Sequence, residues 1–183
     1  MPVRSSAAGE APFVLPGKIV DVPGRGEMFV RHHQHPDSSK PTLLLLHGWT
    51  ASCDSQFFSA YEELSQHFSI IGVDHRGHGR GLRPSVAVTL EDCADDAAAV
   101  AKELGATSVI TVGYSMGGPI SLLTAQRHPE FVRGMVLQAT ALEWSGTPRE
   151  RRRMRFIGPM AHFISRPRVL SFFFKRTLPR GHE

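Results

Sequence analysis

Four short apolar runs, "TLLLLHG" (42–48), "SIIGVD" (69–74), "SVITVG" (108–113) and "VRGMVLQAT" (132–140), are separated by stretches with helical spacing. This alternation narrows the possible architectures more than any other feature. A continuous apolar run bounded by turn residues fits a strand buried on both faces, and such strands belong to parallel sheets covered by helices on both sides. Between the runs, 55–68 places Phe58, Tyr61 and Leu64 at helical spacing, and "GPISLLTAQRHP" is a helix closed by Pro129. "TLEDCADDAAAVAKELG" carries full punctuation: Thr89 as cap, Asp92 three residues on, and Gly105 as stop. Ahead of them, "KIVDV" (18–22) and "EMFVRHH" (27–33) flank "PGRG" and read as a β-hairpin. The expected class is α/β, with a mostly parallel sheet and helices on both of its faces.

Ligands of such open sheets bind at the carboxyl ends of the strands. Three loops should converge there: "HGWT" (47–50), "DHRGHG" (74–79) and "GYSMGG" (113–118). In the third, Ser115 stands between Gly113 and Gly117 at the junction of a strand and a helix. A serine hydroxyl is a poor nucleophile until a base takes its proton, and it must project clear of the backbone to reach a carbonyl. A sharp strand-to-helix turn achieves this, and glycines two residues away on either side let neighbouring chain approach. The same turn puts the Met116 N–H at a helix N-terminus, where negative charge is favoured, and the Trp49 N–H after His47-Gly48 is placed to be a second donor to an oxyanion. His47, His75, His78 and Asp74 invite a metal, but they lie on loops without a helical i, i+4 pair, so no metal and no cofactor is expected. "HHQHPD" (32–37) is taken as a solvated strand end.

From about Lys18 to Thr140 the chain resembles the α/β-hydrolase fold family. "LLLLHGW" is similar to its oxyanion strand and loop, "GVDHRGHGRG" to its Asp-x-Arg-Gly-x-Gly segment, and "LEDCADDAAAVAKELGATSVITVGYSMGG" to its helix, strand and nucleophile elbow. The resemblance implies a serine hydrolase with Ser115 as nucleophile, Trp49 and Met116 as oxyanion donors, and His47 and Gly48 lining the substrate side. Carboxylic esters or related acyl compounds are the implied small-molecule substrates. Perhydrolases and C–C bond hydrolases share the serine elbow and remain open, whereas the epoxide hydrolases and haloalkane dehalogenases of this fold use aspartate there. The family segment usually ends in serine where Gly81 stands here, in a part that is mainly structural.

Such a serine needs an acid and a histidine that follow it in chain order. No residue matches the family's histidine; Glu143, just past the sixth strand, is the one candidate acid, while His162 and His182 fall in a basic, cap-like stretch. Residues 1–143 are therefore expected to form the N-terminal part of a hydrolase core, and 144–183 part of a helical cap. The rest of the core is expected outside these 183 residues. A catalytically impaired, truncated chain is the competing possibility, and the sixth strand would then leave an apolar edge able to pair with another chain.

The overall charge of +4 resides in the tail, since ten Arg/Lys face two acids from Pro148 onward. That tail interleaves arginines with Met154, Phe156, Ile157, Met160 and Phe163, and contact with an anionic membrane surface is its alternative to a cap. No nucleic-acid module is recognisable. Cys53 and Cys93 show no ligand or redox spacing and are expected to be buried thiols. With no signal-type apolar stretch at the N-terminus, a cytoplasmic location is expected.

Overall fold

The computed structural model describes residues 12–141. Within them the elements follow in the expected alternation: β1 (Gly17–Val22), β2 (Gly26–His33), β3 (Thr42–Leu46), α1 (Cys53–Ser65), β4 (Ser69–Val73), α2 (Leu90–Glu103), β5 (Val109–Tyr114), α3 (Gly117–Arg127) and β6 (Val132–Gln138). The strands form one sheet in the order β1-β2-β4-β3-β5-β6. The hairpin pairs antiparallel and joins β4 antiparallel, while β4, β3, β5 and β6 run parallel. The chain leaves β3 for β4 on one side and then crosses back to β5 on the other. The carboxyl end of β3 is thus the switch point where a crevice opens.

Burial follows the alternation of side chains along the strands. Leu44, Leu46, Ile71, Val73 and Val109 pack with α2 and α3, and Leu43, Leu45 and Ile70 pack with α1. The alanine-rich face of α2, with Ala94, Ala97, Ala98 and Ala101 all buried, lets that helix lie close against the sheet. Thr89 caps α2 by accepting the Asp92 N–H, as its spacing predicts. The helix closes where the Gly105 and Ala106 N–H groups bond the carbonyls of Lys102 and Ala101, with Gly105 at a φ of 84°.

The first helix departs from expectation. It begins at Cys53 on a capping box formed by Ser52 and Ser55, and its inward face is Cys53, Phe57 and Tyr61, whereas Phe58 is exposed. Cys53 sets this phase, because its Sγ fills the space beside Gly72 of β4 where any Cβ would stand. The histidine-rich stretch is also less solvated than its sequence suggests. His33 Nε2 lies 3.0 Å from the Ser65 carbonyl at the end of α1, and His32 is half-buried on the opposite face. Both cysteines are free and buried. Among the described residues no helix is long and apolar enough to cross a membrane, and β6 is the outer strand, with Met135, Val136 and Leu137 exposed.

Candidate active site

The turn from β5 into α3 is sharp and centred on Ser115. Ser115 takes a φ of 51°, a left-handed conformation that costs a non-glycine residue roughly 1–2 kcal/mol and persists only where its surroundings enforce it. Three bonds do so. The Ser115 N–H donates to the Gln138 carbonyl at 2.9 Å, and its own carbonyl accepts from the Gly118 N–H and the Thr140 hydroxyl, each also at 2.9 Å. The flanking glycines are obligatory for packing: a Cβ on Gly113 would overlap the Gly117 carbonyl, and one on Gly117 would overlap the Leu46 carbonyl. The first turn of α3 is therefore pressed against the end of β3.

That contact brings the β3 loop to the serine. A Cβ built on Gly48 would stand 3.3 Å from Ser115 Cβ, so the segment His47-Gly48-Trp49 passes directly beside the elbow. The N–H groups of Trp49 and Met116 bond no described residue. Met116 precedes the first residue of α3, whose opening turn carries no acid to offset the helix dipole.

The loop after β4 holds this arrangement from below. Asp74, with a fully buried carboxylate, accepts from the Cys53 N–H at 2.7 Å and from the Arg80 N–H at 2.8 Å, which ties the start of α1 to the 74–81 loop. Arg76 forms a bidentate pair with Asp96 of α2 at 2.6 and 2.7 Å, and Arg25 of the hairpin turn joins the same carboxylate at 2.8 Å. Arg83 donates to the carbonyls of His78, Gly79 and Gly81. Gly81, where the resemblance leads one to expect serine, has no room for a side chain: a Cβ would overlap the carbonyl oxygens of Asp74 and His75.

His47 does not take the substrate-lining place assigned to it from the sequence. Its ring is fully buried, and its Nε2 accepts the His75 N–H at 3.0 Å. Nδ1 must then carry the proton, which it donates to the Gly48 carbonyl at 2.7 Å. The neutral ring is a strut between the β3 and β4 loops, and burial lowers its pKa. His75 packs against it with ring centroids 4.4 Å apart, and neither nitrogen of His75 has a partner among the described residues. Burial pushes the His75 imidazole well below its ordinary value. His78 contacts the same ring edge-on at 5.6 Å.

The structure thus brings Gly48 beside Ser115, with Trp49 and Met116 as their next residues in the chain. Among the described residues no histidine or carboxylate hydrogen-bonds the Ser115 hydroxyl. Glu143, His162 and His182 lie outside the described residues. Asp96 was not singled out in the sequence, since an acid in the first turns of a helix is already accounted for by the dipole. The signal that could have found it is the excess of acids at 91–96 opposite an arginine in the motif at 74–79.

The chain is similar in sequence and fold to several known proteins. A 2-(acetamidomethylene)succinate hydrolase from Mesorhizobium japonicum is 36% identical over 98 residues, covering 54% of this chain and 35% of the relative. A bifunctional esterase/perhydrolase from Acinetobacter calcoaceticus is 33% identical over 89 residues, covering 49% and 32%. The chain spans about a third of the length of the curated relatives it matches. The crystal structure of E-2-(acetamidomethylene)succinate hydrolase superposes with a TM-score of 0.59 at 33% identity, over 66% of this chain and 42% of that one. The profile of the alpha/beta hydrolase fold matches residues 41–160, and the chain belongs to that family.

Proposed function

We propose that this protein is a serine hydrolase that cleaves carboxylic esters or related acyl compounds through an acyl-enzyme on Ser115. The observation that carries the proposal is the Ser115 turn itself, left-handed at φ 51°, with the N–H groups of neighbouring Trp49 and Met116 bonding no described residue. In this mechanism Ser115 Oγ attacks the substrate carbonyl carbon while a histidine from outside the described residues takes the hydroxyl proton. The carbonyl oxygen becomes the oxyanion, held by the two N–H groups, and removal of one such donor typically costs roughly 3 kcal/mol of transition-state stabilisation. Collapse breaks the bond to the leaving oxygen, which departs as an alcohol with the proton from the imidazolium. Water then attacks the acyl-enzyme by the same route and frees the acid and Ser115.

The name of the Acinetobacter relative, an esterase and perhydrolase together, supports an acyl-enzyme that either water or peroxide attacks. A second reading, a chain that binds but does not turn over, is favoured by the absence of a hydrogen-bonded base at Ser115 among the described residues. A fluorophosphonate probe separates them. Labelling of the 183-residue chain within minutes, abolished in Ser115→Ala, is the result expected of an activated nucleophile. A folded chain that stays unlabelled over hours refutes the catalytic reading for this chain.

A further inference from the structure

At the other end of the parallel strands from Ser115 lies a cavity of about 490 Å³ whose chemistry the serine site does not use. Its walls come from the loop before β3, the amino ends of β3, β4 and β6, and the segment joining α2 to β5. Strands of this length, at ~3.3 Å per residue, separate it from the serine by on the order of 15–20 Å. Three observations give the cavity a character. Among the described residues that line it there is no Asp or Glu, while Lys40, Arg133 and His32 are all present. Arg133 makes no hydrogen bond or ion pair with any described residue, in a domain where Arg25, Arg31, Arg76, Arg80 and Arg127 each hold a carboxylate and Arg83 holds carbonyls. The third is Ser69, which is 1% exposed.

The Ser69 hydroxyl accepts from Gln34 Nε2 at 3.2 Å and from the His35 N–H at 3.1 Å. With both lone pairs engaged, its own hydrogen has no acceptor among the described residues, although the residue lines the cavity. A buried donor without an acceptor is uncommon, because leaving it unsatisfied costs free energy that an incoming oxygen would recover. Ser108 and Thr42 add hydroxyls to the same wall. The carboxyl end of α2 borders the cavity, yet its terminal carbonyls are occupied by the Gly105 and Ala106 N–H groups, so they do not present free acceptors there.

We propose that this cavity binds a small oxyanion-bearing molecule, the chemistry shared by phosphomonoesters and carboxylates. Arg133 and Lys40 supply the charge, and the Ser69 hydroxyl supplies a fixed, buried donor. The site is separate from Ser115 and does not depend on its catalytic role.

Calorimetric titration of the 183-residue chain with inorganic phosphate, and in a second arm with succinate, at ionic strength held constant with chloride, tests the proposal. One equivalent of saturable binding is expected in at least one arm, and the arm that responds says whether the group is phosphoryl or carboxyl. Arg133→Gln is expected to weaken it about tenfold, the effect of losing one charge-assisted hydrogen bond. Arg133 is exposed, so this variant should keep the wild-type circular dichroism. Ser69→Ala should weaken binding with the Arg133 charge intact, and Ser115→Ala should leave it unchanged. Heats that never saturate in either arm, or binding equal in wild type and Arg133→Gln, would overturn the site; loss of binding in Ser115→Ala would overturn its independence.

Discussion

Acidification from pH 7 to 5.5 should destabilise this domain through two imidazoles that folding keeps neutral. His47 accepts the His75 N–H on Nε2, a role that only the unprotonated ring performs. His75 is buried with neither nitrogen partnered by a described residue, so a proton on it would be an uncompensated buried charge. Burial lowers both from the ordinary value of 6.5; for His47 the Gly48 carbonyl and Asp74 oppose that shift without cancelling it. Unfolding returns both rings to water. Below pH 6.5 the unfolded chain therefore binds more protons than the folded one, so stability rises with pH in that window. The contribution is fully present above pH 6.5 and is lost as pH falls toward the folded values. A ring that stays neutral in the fold loses about 1.2 kcal/mol of stability between pH 7 and 5.5, and the pair at most about 2.5 kcal/mol. His32, lowered chiefly by burial, acts in the same direction. The carboxylates of Asp54 and Asp95, held down by their arginine partners, also act in this direction, but only below about pH 5. Urea unfolding at the two pH values, followed by far-ultraviolet circular dichroism, measures the difference. His75→Leu removes one of the two protons and breaks no ring hydrogen bond seen in the structure, so it should roughly halve the loss. Equal midpoints at the two pH values, or a pH dependence unchanged in His75→Leu, would refute the account.

Three further outcomes follow from the same packing. Asp96→Ala leaves the Arg76 guanidinium, 10% exposed, without its bidentate partner and should cost about 3 kcal/mol in urea midpoint analysis, with little relief from salt. Gly81→Ser, which restores the serine of the resembling segment, should lower stability by roughly 1–3 kcal/mol, because its Cβ meets the carbonyls of Asp74 and His75; an unchanged thermal midpoint contradicts this. Burial pushes the Cys53 and Cys93 thiols each up to about 12, so a disulfide reagent at pH 8 should leave both unmodified in the native chain and modify both in denaturant.

The elements, their order and the serine turn were legible in the linear sequence because their causes are local. Apolar runs announce buried strands, Thr89 and Gly105 announce the ends of α2, and the two-residue spacing of Gly113, Ser115 and Gly117 announces a tight turn before any partner is known. Hydrophobic burial with a period of two or near four leaves a repeating mark on neighbouring residues, and turn chemistry depends on the few residues that make the turn.

What the linear order could not determine are the contacts across the fold. Phe57 rather than Phe58 turns inward, because Cys53 is seated against Gly72 of a strand nineteen positions later. His47 becomes a strut rather than a substrate contact, because the β4 loop offers it the His75 N–H. Asp96 becomes the anchor of Arg25 and Arg76 only once β4 has inserted between β2 and β3 and α2 lies across the sheet. The same assembly gathers Lys40, Ser69 and Arg133 from three separate segments around one cavity. Such pairings have no periodicity, and their free energy exists only after the chain has closed the intervening loops, so they are properties of the assembled sheet and not of any stretch of sequence.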